Sequence, residues 1–214
     1  MSSVSFVAEE LILPTSSAVI EDIMKLQKAG QATLAYFYFD FNDDKKRNLN
    51  NALRSLLTQL ADGSDRYCDI LSDLYRNNGR STPGTKEMFT CFEEMLEQPD
   101  QGSVYIVLDA LDECSNADKI PSARTEVLDL LKHLVDFRFS NLHLCVTSRP
   151  EDDILDELQA FPTISIQGEK GQKEDIGRYI EDVVRAKSKT PMGRWDDETK
   201  NMVVDTLSKK ADGM

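Results

Sequence analysis

The 214 residues carry 38 acidic against 25 basic side chains, a net charge of −13, with 40% hydrophobic and 29% charged residues. That balance fits an ordinary soluble globular chain of one domain, or one domain with a small appendage. It argues against a nucleic-acid backbone or an anionic membrane as partner, because both call for a basic surface.

Residues 4–8 alternate weakly and read as a short strand or a ragged leader. Thr15 or Ser16 can cap a helix that runs to about Ala29, where Gly30 ends it. Thr33 to Asp40 is an aromatic, nearly continuous strand. Its aromatics suit core packing better than base stacking, given the net charge of −13. Asp40 reads as a solvated turn acid, and Asp43 to Arg47 as a solvated loop. Helices are expected over 49–61, 65–76 and 85–97, the first with a leucine-rich and the last with an aromatic-rich buried face. Asn77 to Gly84 is a loop by its turn chemistry.

Val104 to Leu108 is an uninterrupted apolar run that ends in Asp109, Asp112 and Glu113. Such a run reads as a strand buried on both faces, as in a parallel sheet covered by helices. Ligands of open parallel sheets bind outside the carboxyl ends of the strands, where Asp109 emerges. A carboxylate there can hold Mg²⁺, directly or through water, and a second acid can order an attacking water. A core strand followed by a solvated acidic turn is the plainer alternative.

Ser122 caps a helix to about Arg138, and residues 141–147 form the next strand. Arg149 leaves the same sheet edge as Asp109 and can stabilise a phosphoryl charge, or is simply a surface arginine before Pro150. Thr147 and Ser148 can donate to a phosphate or a water, or satisfy turn backbone. A helix over 151–159, a short strand over 163–167, a turn over 168–171 and a helix over 173–187 follow. A hinge-like loop over 188–195 precedes a polar last helix to Ala211, with Trp195 packing the start of that helix. Alternating strands and helices give an α/β fold with a mainly parallel sheet.

Four cysteines, at 68, 91, 114 and 145, form no C-x-x-C pair, and His133 and His143 have no metal-spaced partner. No zinc site is expected. Cys91, Cys114 and Cys145 read as buried thiols in a reducing compartment. No apolar run approaches the roughly 18 residues of a membrane span, and no signal peptide is recognisable. A cytoplasmic protein is the expectation. No G-x-S-x-G or Cys/His pair supports a hydrolase triad.

The strand ending L-D-A-L-D-E-C and the strand ending C-V-T-S-R-P together resemble the NACHT class of STAND nucleotide-binding domains, as found in fungal NOD-like-receptor proteins. Segments from Ser16 to Ile23, Leu34 to Phe41, Asn50 to Leu60, Gly168 to Ile176 and Ala211 to Met214 also look like that family. The resemblance implies a three-layer P-loop NTPase-like fold with the start of a C-terminal helical appendage. It places an atypical leader at 1–15, a NACHT-like core at 16–187 and the start of a helical subdomain at 188–214, with the family pattern truncated at both ends. Asp109 would be the Mg²⁺-supporting acid of a Walker B strand. Asp112 and Glu113 would be hydrolytic or water-ordering acids, and Arg149 the γ-phosphate sensor. Thr147 and Ser148 would touch the nucleotide, ATP or GTP. The implied partners are other NACHT-type or effector proteins, with oligomers in self-recognition and host defence.

One departure matters most. The family's G-x-x-x-x-G-K-[ST] loop precedes the helix at Ser16, and this chain has Glu9 to Thr15 there, without glycine or lysine. Glycines let backbone N–H groups wrap phosphates, and the lysine reaches the β and γ oxygens. Contacts of that kind contribute about 1.5–3 kcal/mol each, so losing three or four costs roughly 5–10 kcal/mol. Thr15 can stand in for the Mg²⁺-binding hydroxyl, but nothing replaces the lysine. The first expectation is therefore a module with impaired or absent nucleotide binding and hydrolysis, whose cofactor is either the Mg²⁺ with ATP or GTP that the resemblance implies or none. The alternatives are an active NTPase switch whose phosphate loop comes from a partner, and a non-catalytic interaction scaffold. A short strand drawn from Glu9 to Leu13 is expected to fill the sheet position before that loop.

Overall fold

One sheet organises the computed structural model. Among the described residues its strands are β1 (Ser3–Ala8), β2 (Ala32–Tyr38), β3 (Ser103–Asp109), β4 (Leu142–Ser148) and β5 (Thr163–Ser165). Their order across the sheet is β2-β3-β4-β1-β5. The pairs β2–β3, β3–β4 and β4–β1 are parallel. The helices are α1 (Leu13–Lys28), α2 (Leu49–Asp62), α3 (Asp65–Asn78), α4 (Thr85–Leu96), α5 (Ala123–Asp136), α6 (Asp152–Leu158), α7 (Lys170–Arg185) and α8 (Asp197–Ala211). The structure describes residues 3–8, 13–79, 81–98, 102–116, 121–137, 139–159, 161–165, 170–185 and 195–211.

Side chains of a strand alternate between its two faces, and here the alternation sorts the core into two clusters. Leu34 and Val107 pack with Ile20 and Ile23 of α1, and Tyr36, Tyr38, Tyr105 and Cys145 join them. Ala35, Phe37, Ile106, Leu108, Leu144 and Val146 point the other way, into a larger cluster with α2, α4 and α5. The sheet is thus covered on both faces, which explains the unbroken apolar run of β3. Three layers result.

Local signals set the helix ends. Asn48, Ser64 and Ser122 accept from the backbone N–H of Asn51, Tyr67 and Thr125 as N-caps. Gly30 sits at φ +69°, and its N–H donates to Gln27 O while Gln31 N–H donates to Leu26 O. That pair of bonds is the left-handed helix end that glycine favours.

Four expectations shift. The strand in the first segment is Ser3–Ala8, upstream of Glu9 to Leu13, and Leu13 already belongs to α1. Residues 9–12 lie outside the described residues. Thr15 and Ser16 are therefore inside the first turn of α1, not at its cap, with Pro14 in the early-helix position where its missing N–H is harmless. Helix α7 begins at Lys170, so Lys170 and Gly171 are helical, not part of a turn. Cys145 is half-buried, whereas Cys91 and Cys114 are fully buried.

The chain divides into two compact units, Met1–Ile164 and Ser165–Met214. The first holds the sheet described above. In the second, Arg185 on α7 donates to Glu181 Oε1 at 2.9 Å and to Asn201 Oδ1 of α8 at 2.8 Å. The hinge expected over 188–195 lies outside the described residues apart from Trp195, which is half-buried. Among the described residues, no helix is long and apolar enough to cross a membrane.

β1 lies between two strands, so its backbone amides are expected to exchange slowly. Hydrogen exchange should show Val4 to Val7 protected to a degree comparable with β4. Rapid exchange there would remove β1 from the sheet.

Candidate functional site

Asp109 ends β3 with a relative exposure of only 3%. It follows Tyr105 and Val107 in the alternation, so its carboxylate belongs to the α1 face. Thr147 holds the matching place on β4, and its Oγ1 donates to Asp109 Oδ1 at 2.7 Å. The buried hydroxyl of Ser16, in the first turn of α1, bonds the same carboxylate. Burial raises the Asp109 pKa; the bonds from Thr147 and Ser16 pull against that rise, and Asp112 and Glu113 add to it. Phe39 N–H donates to Asp109 O at 3.0 Å, so both neighbouring strands grip this residue.

The next residue reverses the chain. Ala110 is left-handed, at φ 56° and ψ 51°, the one non-glycine with positive φ among the described residues. Such a conformation costs an alanine about 1–2 kcal/mol. Its N–H donates to Thr147 Oγ1 at 3.1 Å, which helps to hold it. A 3-10 turn over Leu111–Glu113 follows and carries Asp112 beneath the end of β4.

Asp112 is buried and accepts from Arg149 N–H at 3.0 Å and Ser148 Oγ at 3.4 Å. Arg149 Nε lies 3.6 Å from Asp112 Oδ2, with the arginine side chain 58% exposed. Glu113 accepts from Phe41 N–H at 2.9 Å. The structure therefore gathers Asp109, Asp112, Thr147, Ser148 and Arg149 at the joint end of β3 and β4. Glu113 instead ties the turn to the loop after β2. That loop is clasped again where Cys114 Sγ and Ser115 N–H donate to Arg47 O at 3.2 and 3.3 Å. Burial pushes the Cys114 thiol up to about 12, so it is an inert member of the brace. Asp40 takes no part in the acid cluster; its Oδ1 accepts from Asn42 N–H in a local turn.

A buried arginine completes the site. Arg124, 5% exposed, donates from Nε to Cys114 O at 3.2 Å and from Nη2 to Asp112 O. Its Nη1 pairs with Glu151 and, at 3.1 Å, with Asp153 at the start of α6. Burial opposes its charge, but the Glu151 and Asp153 carboxylates outweigh it and raise its pKa. One guanidinium thus fastens the turn after β3 to the helix after β4. The sequence reading missed Arg124, Ser16 as the acid's partner, and the strained Ala110. A signal existed for the first: a basic residue in the first turn of α5 runs against the helix dipole unless acids meet it.

Among the described residues, no three His, Cys, Asp or Glu side chains are grouped to hold a metal ion. The donor set at Asp109, one carboxylate beside two hydroxyls, suits a hydrated Mg²⁺ supported through water. The phosphate side does not fit a nucleotide in the same way. Residues 9–12, between β1 and α1, are Glu-Glu-Leu-Ile and offer neither an ammonium group nor a glycine.

A parallel sheet, a first strand inside it leading to α1, and an acid-bearing β3 beside a hydroxyl-bearing β4 define a P-loop NTPase-like α/β domain. The model of the Nephrocystin 3, N-terminal family, a NACHT-related region, matches residues 15–149, and the chain belongs to that family. No curated protein sequence matches the chain. Among solved structures, Drosophila ORC bound to poly(dA/dT) DNA and Cdc6 aligns at 9% identity and TM-score 0.49, over 97% of this chain and 34% of that one. The Aeropyrum pernix ORC1 protein in complex with DNA aligns at 11% identity and TM-score 0.49, over 97% and 53%. The chain spans about a third to a half of those proteins. Scores of that size carry nothing about function.

Two outcomes test the site. Arg124→Ala strips partners from two buried carbonyls and two carboxylates and should cost about 3 kcal/mol in urea unfolding. Arg149→Ala removes only an exposed guanidinium 3.6 Å from buried Asp112, which keeps its bonds from the Arg149 N–H and Ser148, and should cost less than about 1 kcal/mol. Equal losses would contradict the bracing role of Arg124.

Asp109 supplies a pH signature. Its folded-state pKa lies above the ordinary 3.8, so the folded state takes up its proton first. Its contribution to stability therefore grows as pH falls from the folded value toward 3.8 and is lost as pH rises through the folded value. Asp109→Asn should match or exceed the parent in Tm at pH 7, and its advantage should narrow as the pH drops through that window. A lower Tm for Asp109→Asn at pH 7 that recovers in acid would reverse this reading.

Proposed function

We propose that the chain is a NACHT/STAND-type nucleotide-binding signalling module of the fungal NOD-like-receptor kind, in which ATP or GTP binding and hydrolysis are impaired or absent. The reading rests on one observation: each acid of the expected site is spent on the chain itself. Asp109 is held by Thr147 and Ser16, Asp112 by Ser148 and Arg149, and Glu113 by the Phe41 N–H. Against a Walker B pattern, Asp109 would support Mg²⁺, and Ser16 would take the hydroxyl role first considered for Thr15. Asp112 and Glu113 would order water, Arg149 would sense the γ-phosphate, and Thr147 and Ser148 would touch the nucleotide. What the chain lacks is the lysine and glycines that hold the phosphates.

The module in this reading comprises the leader over 1–15, the core over 16–187 and the start of a helical subdomain over 188–214. It acts in the cytoplasm by docking on related NACHT-type or effector proteins. Arg124 and the strand pairing hold the acid and sensor edge.

Calorimetry with Mg-ATP and Mg-GTP is the direct test. No saturable heat is expected up to millimolar nucleotide, a ceiling of about −4 kcal/mol in binding free energy. Micromolar binding that vanishes in Asp109→Ala would establish a live site and overturn the proposal.

A further inference from the structure

Among the described residues β3 alone pairs with the outer strand β2, which leaves the other backbone edge of β2 without a strand. An unpaired strand edge is a template for another chain. β2 invites this more than most: Ala32 to Tyr38 is Ala-Thr-Leu-Ala-Tyr-Phe-Tyr, without charge, proline or glycine. Seven residues of that composition match the signature of self-pairing segments.

One side chain answers the invitation. Gln59 of α2 accepts from Tyr36 N–H through Oε1 at 3.1 Å and donates to Tyr36 O through Nε2 at 2.8 Å. Those are the two bonds an incoming strand would make to that residue. Nε2 also donates to Ser55 Oγ at 3.0 Å, one turn back on the same helix, which fixes the amide's orientation. Backbone groups of a strand alternate in direction, so the rungs facing away from β3 fall at Leu34, Tyr36 and Tyr38. Gln59 takes the middle one.

We infer that Gln59 is a plug in the β2 edge, and that the partner it excludes is β2 of a second copy of this chain. The identical copy is the natural occupant because two β2 strands are self-complementary about a two-fold axis, the usual symmetry of a homodimer. The edge is thereby closed by a helix-borne amide instead of by a charge or a bulge.

The test uses the full chain as Gln59→Leu, with Thr58→Ala as an exposed control on the same helix. In dilute solution the Tyr36 amide should exchange about tenfold faster in Gln59→Leu than in the parent, the factor for losing one hydrogen bond. At high concentration the variant should sediment as a dimer or larger species beyond the parent's size, with Tyr36 protected again. Thr58→Ala should show neither change. Unaltered Tyr36 exchange in Gln59→Leu, or association without renewed protection at Tyr36, overturns the inference. If Gln59→Leu fails to fold, the parent decides: a Tyr36 amide exchanging at the rate of an unprotected peptide means that no plug exists.

Discussion

The hydrogen bond from Thr147 to Asp109 is the constraint on which the site depends, and it is a consequence of register. Leu108 lies opposite Val146 in the parallel ladder, so the next residues of β3 and β4 end side by side. The same alternation that sends Leu108 and Val146 into the larger core turns Asp109 and Thr147 toward α1. A buried carboxylate without donors would lose several kcal/mol, so it needs Thr147 and Ser16. Packing and polar chemistry are therefore set by one alternating pattern, and a shift of one residue would invert both.

Past the strand ends the organisation changes hands. No ladder continues there, and polar side chains carry the chain instead. Ala110 accepts a left-handed backbone so that Asp112 can reach the Ser148–Arg149 peptide. Arg124 then collects carbonyls from one turn and carboxylates from the next helix. Its carboxylate partners are themselves substantially exposed, at 45% and 39%, so the brace opens to solvent on one side. That geometry suits a rigid surface more than a closing one.

Most of the architecture was legible because its signals are local. The apolar run of β3, the leucine face of α2 and the caps at Asn48, Ser64 and Ser122 each mark an element without reference to distant residues. What was not legible depends on pairing at long range. Nothing within Met1 to Ala8 says that it joins β4, and its weak alternation is ambiguous on its own. The candidate acids were found from their position after a buried strand, but their occupants were not. Ser16 looked like a cap because a serine before an apolar face usually is one, and only the parity of β3 brings it to Asp109. Arg124 hid within an ordinary amphipathic helix.

The pairing of β1 has a consequence in time. Ser3 lies opposite His143, so the strand and its partner are 140 residues apart along the chain. At ribosomal speeds of 5–20 residues per second, β1 leaves the tunnel roughly 7–28 s before β4 does. By then α2, α3 and α4, whose contacts are local, have had ample time to form. A nascent chain would therefore carry β1 as an unplaced ribbon beside a half-built sheet. Insertion of β1 cannot precede the synthesis of β4, and until it happens the β4 edge that β1 covers is open to other chains.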